Sequence, residues 1–225
     1  IQEIVTWSWR GPTSLPNAQF DVWRFDSGLG NYVHDETIPL GDSEPSPQRG
    51  VAIADYNGDG DLDIAARVGA DIRGPVGTPE RLVVVPGNGD GTFGAHVTSA
   101  PGFPPAGQIE AIDTNYDDIV DLVMKGTSGY DSGNIAVATG IGNGTFNAAV
   151  DYNAFIGFSQ ELKMLDVNGD SLPDAIVKSD LAVTLLAAKA DGTYAPQQDL
   201  VRVDPLESGM AIDDVDGDNR LDFVL

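Results

Sequence analysis

Cysteine is absent from this chain of 225 residues, and basic residues are few, with 12 Lys and Arg against 35 Asp and Glu. Without cysteine there is no disulfide to stabilise a secreted fold, and bound metal is the usual substitute. The formal charge of −23 argues against partners such as nucleic acids and anionic membranes, which favour a basic surface. No apolar run reaches the roughly 18 residues that predict a membrane-spanning helix.

Long amphipathic helical patterns are lacking too, and short runs rich in Val and Ile, bounded by Gly, Asp or Asn, predict strands instead. LAVTLLAAKA (181–190) has some helix propensity, but its register against RLVVVPGNG and NIAVATGIG favours a strand. Four strands are expected for every 48 to 60 residues, which is the content of a β-propeller blade. The other predicted strands are VAIAD, EAID, DIAARV, DLVMK, DAIVK and DFVL.

An Asp-rich segment of nine residues occurs four times and aligns without gaps. We number these Asp-rich loops 1 to 4: DYNGDGDLD (55–63), DTNYDDIVD (113–121), DVNGDSLPD (166–174) and DVDGDNRLD (214–222). Every copy has Asp or Asn at positions 1, 3 and 5 and Asp at position 9.

A Gly-rich turn that ends in an aromatic residue is the second repeated marker. It reads GNGDGTF (87–93), GIGNGTF (140–146) and KADGTY (189–194), with a degenerate copy, SGLGNY, at 27–32. The interval from the aromatic residue to the first Asp of the next Asp-rich loop is 20 residues in three cases and 23 in the fourth. The interval from the last Asp of a loop to the next aromatic residue varies more, at 30, 25 or 20 residues. Constant spacing on one side and insertions on the other indicate a scaffold with one variable loop per repeat. We place the repeats at about 3–62, 63–120, 121–173 and 174–225.

The Asp-rich loops have the donor set that calcium prefers, which is six to eight oxygen atoms at about 2.3–2.6 Å. Positions 1, 3, 5 and 9 bear oxygen in every copy, and the mixed residues at position 7 fit a backbone carbonyl ligand. An EF-hand would need Glu at position 12, where Ala66, Met124, Val177 and Leu225 stand. Gly at position 4 permits a tight turn in three loops, and Tyr116 replaces it in loop 2.

A simpler interpretation is that the four segments are acidic turns that bind no metal, but the occurrence of four aligned copies argues against it. The loops contain 15 of the 35 acids, which would repel one another without a cation. About four calcium ions are therefore expected. The predicted ligands are Asp55, Asn57, Asp59, Asp61 and Asp63; Asp113, Asn115, Asp117, Ile119 and Asp121; Asp166, Asn168, Asp170, Leu172 and Asp174; and Asp214, Asp216, Asp218, Arg220 and Asp222.

These loops and their repetition resemble the FG-GAP, or VCBS, repeats of integrin α-subunit propellers, fungal propeller lectins and bacterial surface proteins. The resemblance covers nearly the whole chain. It implies an all-β fold of four-stranded propeller blades, with the D-x-[DN]-x-D-x-x-x-D loop between two strands holding calcium. Loop 2 departs most, through Tyr116 and Asp118, and is expected to be the least ideal site.

No catalytic residues are predicted. The turn GNGDGTFG lacks a following helix and a phosphate-binding Lys, so it is interpreted as a hairpin. His34 and His96 are far apart in the repeat, and no triad spacing involves them. Trp7, Trp9 and Trp23 lie in the first repeat and either pack between blades or form a platform for sugar rings.

The expected function is that of an extracellular adhesion or binding module, secreted or at the cell surface. Its ligand would be a protein or a glycan, recognised by the variable loops at 11–17, 69–80 and 126–133. Two alternatives are a structural subunit of a surface layer or filament and a non-catalytic domain of a secreted hydrolase.

The chain begins with Ile1 in a strand-like stretch, without an initiator Met or a signal peptide, and is interpreted as a processed chain or a piece of a longer one. Residues 3–5 align with 63–65 and with 222–224, so the same strand type occurs near both termini. We therefore expect further flanking repeats, or self-assembly through open blade edges, and not a ring closed by four blades.

Overall fold

A computed structural model describes residues 3–10, 17–40, 50–68, 81–102, 108–126, 133–155, 159–202, 210–217 and 221–224. These residues form seventeen β-strands and no helix. The strands are β1 (Glu3–Arg10), β2 (Asn17–Asp26), β3 (Asn31–Pro39), β4 (Val51–Ala54), β5 (Asp63–Val68), β6 (Arg81–Val85), β7 (Val97–Ser99), β8 (Ile109–Ile112), β9 (Asp121–Lys125), β10 (Gly133–Ala138), β11 (Val150–Phe155), β12 (Ser159–Leu165), β13 (Asp174–Ser179), β14 (Ala182–Leu186), β15 (Gln198–Arg202), β16 (Ala211–Asp213) and β17 (Asp222–Val224).

The strands form antiparallel sheets in which neighbours in sequence are neighbours in space. Three sheets have four strands each, in the orders β4-β5-β6-β7, β8-β9-β10-β11 and β12-β13-β14-β15. A three-stranded sheet, β1-β2-β3, and a pair, β16-β17, complete the described strands. The expectation of an all-β fold with sheets of four antiparallel strands is confirmed.

The second strand of each four-stranded sheet is the most buried. Every residue of β9 and β13 is buried, including an Asp at the start of each strand and a Lys near its end. The last strand, β15, is exposed along its whole length. AVTLL, within the run LAVTLLAAKA, forms β14, so the choice of strand over helix is confirmed.

The chain divides into two compact units. The first contains Ile1–Gly102 with Gly140–Ala148, and the second contains Phe103–Thr139 with Ala149–Leu225. In the first unit, side chains of β2 and β3 such as Phe20 and Ile38 pack against Ile64 and Val83 of β5 and β6.

In the second unit, the main core joins the sheets β8–β11 and β12–β15. Its fully buried members include Val123, Ile135, Val177 and Leu186. A smaller cluster packs Ile176 and Val183 against Met210, with Ile212 and Phe223 beside it.

The sheets begin one strand earlier than the repeats drawn from the sequence. Each four-stranded sheet starts with the strand before an Asp-rich loop, whereas the drawn repeats start with the strand after it. The repeats and the sheets therefore have the same length along the chain, but their boundaries are displaced by one strand. No helix among the described residues is long and apolar enough to cross a membrane.

Candidate metal centres

Each Asp-rich loop connects two paired strands. Loops 1, 2 and 3 join the first and second strands of the four-stranded sheets, and loop 4 joins β16 to β17. The four loops therefore occupy equivalent places, as their alignment predicts. Within loop 4, Asp218 and Arg220 lie outside the described residues.

The polar side chains of loops 1 to 3 organise the backbone in one repeated pattern. The carboxylate at position 1 accepts the N–H groups of positions 4 and 6, with N–O distances of 2.7 to 2.9 Å. The amide oxygen at position 3 accepts the N–H of position 5, and the carboxylate at position 5 accepts the N–H of position 7, at 2.8 to 2.9 Å. These bonds hold the side chains of positions 1, 3 and 5 against the backbone of their own loop.

Two positions of the loop adopt left-handed backbone conformations. Position 4 has φ of 78° at Gly58, 59° at Tyr116, 81° at Gly169 and 80° at Gly217. Position 6 is left-handed as well, with Gly in loop 1 but Asp118 in loop 2 and Ser171 in loop 3. Residues other than Gly are strained there by about 1 kcal/mol or more. Loop 2 contains two such residues, which agrees with its being the most divergent copy.

The carboxylate at position 9 is held differently from the others. Asp63, Asp121 and Asp174 are fully buried, and in all four loops one oxygen of this residue accepts the N–H of position 2 at 2.9 to 3.2 Å. The second oxygen of Asp63 accepts the N–H of Gly87 at 2.9 Å, and that of Asp174 accepts the N–H of Ala188 at 2.8 Å. In loops 1 and 3, position 9 therefore holds the loop against the start of the Gly-rich turn of its own sheet, a role that its place in the repeat does not by itself disclose.

Burial and neighbouring carboxylates work against ionisation at position 9. Burial raises the pKa of Asp63 and Asp174, their backbone hydrogen bonds partly offset it, and the carboxylates at positions 1 and 5 raise it further. At Asp55 burial also opposes ionisation, but the N–H groups of Gly60, Gly58 and their neighbours together lower the pKa. A bound cation would favour the ionised form of every one of these groups.

Loop 4 brings three carboxylates close together. Carboxylate oxygens of Asp214, Asp216 and Asp222 lie within 4.8 Å of one another. Two Ca–O bonds of about 2.3–2.6 Å span ligand oxygens up to about 5 Å apart, so one ion can contact all three. These residues occupy positions 1, 3 and 9. Among the described residues, which include all of loops 1 to 3, no other three acidic side chains meet this spacing. Loops 1 to 3 have Asn at position 3, so an amide oxygen would take the place of that carboxylate.

The Gly-rich turns are tight hairpin ends, as predicted. The backbone bridges Gly87–Phe93, Gly140–Phe146 and Ala188–Tyr194 close them. In each, the Thr before the aromatic residue donates both its N–H and its hydroxyl to the Asp or Asn two residues earlier, at 2.5 to 3.0 Å.

The turns also contact the Asp-rich loop of the preceding four-stranded sheet. The N–H of Gly144 donates to the carbonyl of Tyr56 in loop 1 at 2.9 Å, and the ring of Phe146 meets that of Tyr56 edge to face at 5.7 Å. In the second unit, a Cβ added to Gly192 would lie 3.0 Å from the Cβ of Asn115 in loop 2. Sequence spacing alone gives no sign of this contact between successive repeats.

Recognition residues suggested by the sequence are only partly described. Segments 11–16, 69–80 and 127–132 of the variable loops lie outside the described residues. Trp7 and Trp9 pair in register with Phe20 and Ala18, whereas Trp23 pairs with Ile4. The three tryptophans therefore do not form a single row across the sheet.

A solved structure with a similar fold is that of a lectin from Agrocybe aegerita, described as recognising non-reducing terminal N-acetylglucosamine. The TM-score is 0.52 at 19% sequence identity, covering 82% of this chain and 48% of the lectin. This chain thus spans about half the length of that protein, and at such low identity the likeness concerns the fold alone. No family model matches the sequence, and no curated protein is similar to it.

Proposed function

We propose that the chain is a calcium-stabilised repeat module of the FG-GAP or VCBS type, that its sheets are blades of a β-propeller, and that it binds glycans outside the cell. The observation that supports calcium most directly is the Asp-rich loop itself, present four times. In loops 1 to 3 the same hydrogen bonds orient the oxygens at positions 1, 3 and 5, and in loop 4 three carboxylates lie close enough to share one ion.

Calcium would supply rigidity in this proposal, and the chain's own residues would hold it. Side chains at positions 1, 3, 5 and 9 and the carbonyl at position 7 are the proposed ligands in each loop. Four ions would add eight positive charges to a chain of −23 and leave −15. Because a metal that binds only the folded state raises stability by mass action, removing it should destabilise the fold.

Isothermal calorimetry on the chelated chain tests the metal part, with thermal melting in calcium, in magnesium and in chelator alongside. We expect about four calcium ions per chain and a melting temperature that falls in chelator. Magnesium should replace calcium poorly, because it requires a smaller, near-octahedral site. Binding of fewer than three calcium ions per chain, or a melting temperature that is the same with and without chelator, would contradict the proposal.

The glycan part draws support from the fold shared with a lectin and from aromatic and polar side chains on the first sheet. A glycan array probed with the calcium-loaded chain tests it. Selective binding to a set of related glycans is the expected result. Binding to none would favour the structural-subunit alternative, for which head-to-tail assembly in light scattering is the positive sign.

A binding role without turnover is also part of the proposal. The chain does bring His34 close to Asp21 and Thr37, with His34 Nε2 at 3.3 Å from Asp21 Oδ1 and at 3.0 Å from Thr37 Oγ1. In a nucleophilic triad the hydroxyl and the carboxylate contact opposite nitrogens of the imidazole. Here both contact Nε2, so the arrangement is not that of an activated nucleophile.

A further inference from the structure

A polar cluster on the first sheet lies apart from the Asp-rich loops, and its centre is Asp21 on β2. Phe20 and Val22, on either side, enter the hydrophobic core, so Asp21 lies on the opposite face of the strand. It is nevertheless only 4% exposed. A carboxylate that is buried on the face away from the core is shielded by its own polar neighbours.

Three side chains converge on one oxygen of this carboxylate. Gln19 Nε2 donates to Asp21 Oδ1 at 2.9 Å, Thr37 Oγ1 donates to it at 2.9 Å, and His34 Nε2 lies 3.3 Å away. A β-bulge on β3 assists this, since Val22 pairs with Glu36 but Trp23 pairs with His34, leaving Asp35 as the extra residue. The bulge brings His34 and Thr37 to the same side of the sheet.

Trp23 forms the aromatic wall of the cluster. Its indole N–H donates to Thr6 Oγ1 at 2.7 Å, and the Thr6 hydroxyl in turn donates to the Asp21 carbonyl at 3.3 Å. The ring of His34 meets the indole edge to face at 5.2 Å. The indole is therefore fixed in orientation before any ligand arrives, which reduces the entropy lost on binding.

These groups line a concavity of about 400 Å³ that is formed by Gln19, Asp21, Trp23, His34 and Thr37. Its size falls at the small end of ordinary ligand sites, which run from about 300 to 1,000 Å³. Asp21 orients its three neighbours through one polar atom each. The amide oxygen of Gln19, the Nδ1 atom of His34 and one lone pair of Thr37 remain to meet a ligand, since Thr37 Oγ1 also lies 3.0 Å from His34 Nε2.

The chemistry of these groups selects among ligand classes. Gln19 offers its amide oxygen as an acceptor and the second hydrogen of its NH₂ group as a donor, and Thr37 offers an acceptor, which together match the hydroxyls of a sugar. An apolar face of a sugar ring can pack on the indole of Trp23. An anionic ligand is disfavoured because the Asp21 carboxylate and the net charge of −23 would repel it. A cationic ligand is disfavoured because Asp21 Oδ1 already accepts hydrogen bonds from its neighbours.

We infer that this concavity, the Asp21 pocket, binds one neutral hexopyranose ring. The inference rests on the proposed glycan-binding function and assigns it to named residues. The sugar lies against Trp23, and its hydroxyls bond to Gln19, His34 and Thr37.

The test uses the calcium-loaded 225-residue chain. The probes are methyl glycosides of N-acetylglucosamine, glucose and galactose, with glucuronic acid and glucosamine as charged comparators. Saturation-transfer NMR detects binding, and titration followed by tryptophan fluorescence measures its strength. The variants are His34→Ala and Thr37→Val, on exposed side chains whose loss leaves the core intact. Arg24→Gln is the matched control, because Arg24 is exposed on the same sheet and pairs with Asp35 at 3.3 Å.

We expect at least one neutral glycoside to bind, with affinity about tenfold or more weaker in His34→Ala and Thr37→Val, as the loss of about 1.4 kcal/mol in hydrogen bonding implies. Arg24→Gln should bind as the unsubstituted chain does. Equal affinity in all variants would overturn the Asp21 pocket and leave glycan binding elsewhere on the chain. Preference for a charged comparator would overturn the assignment to neutral sugars. Binding to no sugar in the panel or on the array would overturn both the pocket and the glycan part of the proposed function.

Discussion

Asp170 and Asp174 lie four residues apart in loop 3, and the structure gives them different roles. Asp170 is exposed and accepts one hydrogen bond, from the N–H of Leu172 at 2.8 Å. Asp174 is fully buried, and each of its oxygens accepts a backbone N–H. The carboxylate of Asp170 is thus suited to binding a cation, whereas that of Asp174 also stabilises the fold through hydrogen bonds to the backbone.

Substitution by Asn separates these two roles. Asp170→Asn keeps an oxygen for Leu172, so we expect little change in chelator and a clear loss of stabilisation by calcium. Asp174→Asn places an NH₂ group against a backbone N–H, and we expect a loss of about 1–3 kcal/mol in chelator as well. Thermal melting with and without calcium measures both.

The control for this pair is Asp199→Asn, which removes the same charge from a surface ion pair with Arg202 at 2.6 Å. It should melt like the parent chain in both conditions, since exposed pairs contribute little. If Asp170→Asn and Asp199→Asn respond to calcium alike, position 5 is not a ligand.

At the scale of elements, most of the architecture could be predicted from the sequence. Strands, hairpin turns and loop positions follow from short apolar runs between Gly and Asp clusters, and β14 shows that repeat register outweighs helix propensity. The burial of position 9 and the contact of Phe146 with Tyr56 could not be predicted, because both depend on which segments meet in space. The Asp21 pocket was equally hidden, since it requires a β-bulge and lies outside the repeated motif.

Two tyrosines illustrate how that packing affects stability. The hydroxyl of Tyr56 is buried and has no hydrogen-bond partner among the described residues, and burial, followed by the charge of Asp63, raises its pKa. The hydroxyl of Tyr194 donates to the carbonyl of Pro173 at 3.1 Å. We expect Tyr56→Phe to be neutral or stabilising and Tyr194→Phe to cost about 1 kcal/mol, measured by urea unfolding. The reverse order would show that the Tyr56 hydroxyl has a partner in solution.

At the scale of the whole molecule, the loops should make stability depend on pH and calcium together. The folded-state pKa of Asp63 and Asp174 is raised, chiefly by burial. Such groups stabilise the fold below their unfolded pKa, and that stabilisation is lost as pH rises through the raised value. Asp55 has a lowered pKa and acts with the opposite sign, losing its contribution as pH falls.

Calcium needs all these carboxylates ionised, so acid should release it. We expect the rise in melting temperature on adding calcium to be large near pH 7 and to vanish near about pH 4, where carboxylates become protonated. In chelator, the melting temperature should depend less on pH, because the raised pKa values of Asp63 and Asp174 and the lowered pKa of Asp55 act in opposite directions. If calcium raises the melting temperature as much at about pH 4 as near pH 7, carboxylates are not the ligands of the ion.

The contact of turn 140–146 with loop 1 has a consequence for how such chains can be shortened or duplicated. The unit copied in the sequence does not coincide with a compact unit of the structure, because Gly140–Ala148 belongs with Ile1–Gly102 although its flanking strands do not. A deletion after residue 102 would remove a complete set of strands and also take away the residues that cover Tyr56. Such a deletion would leave the ring of Tyr56 without its contact to Phe146, so a chain shortened at this point would expose more aromatic surface than the number of lost strands suggests.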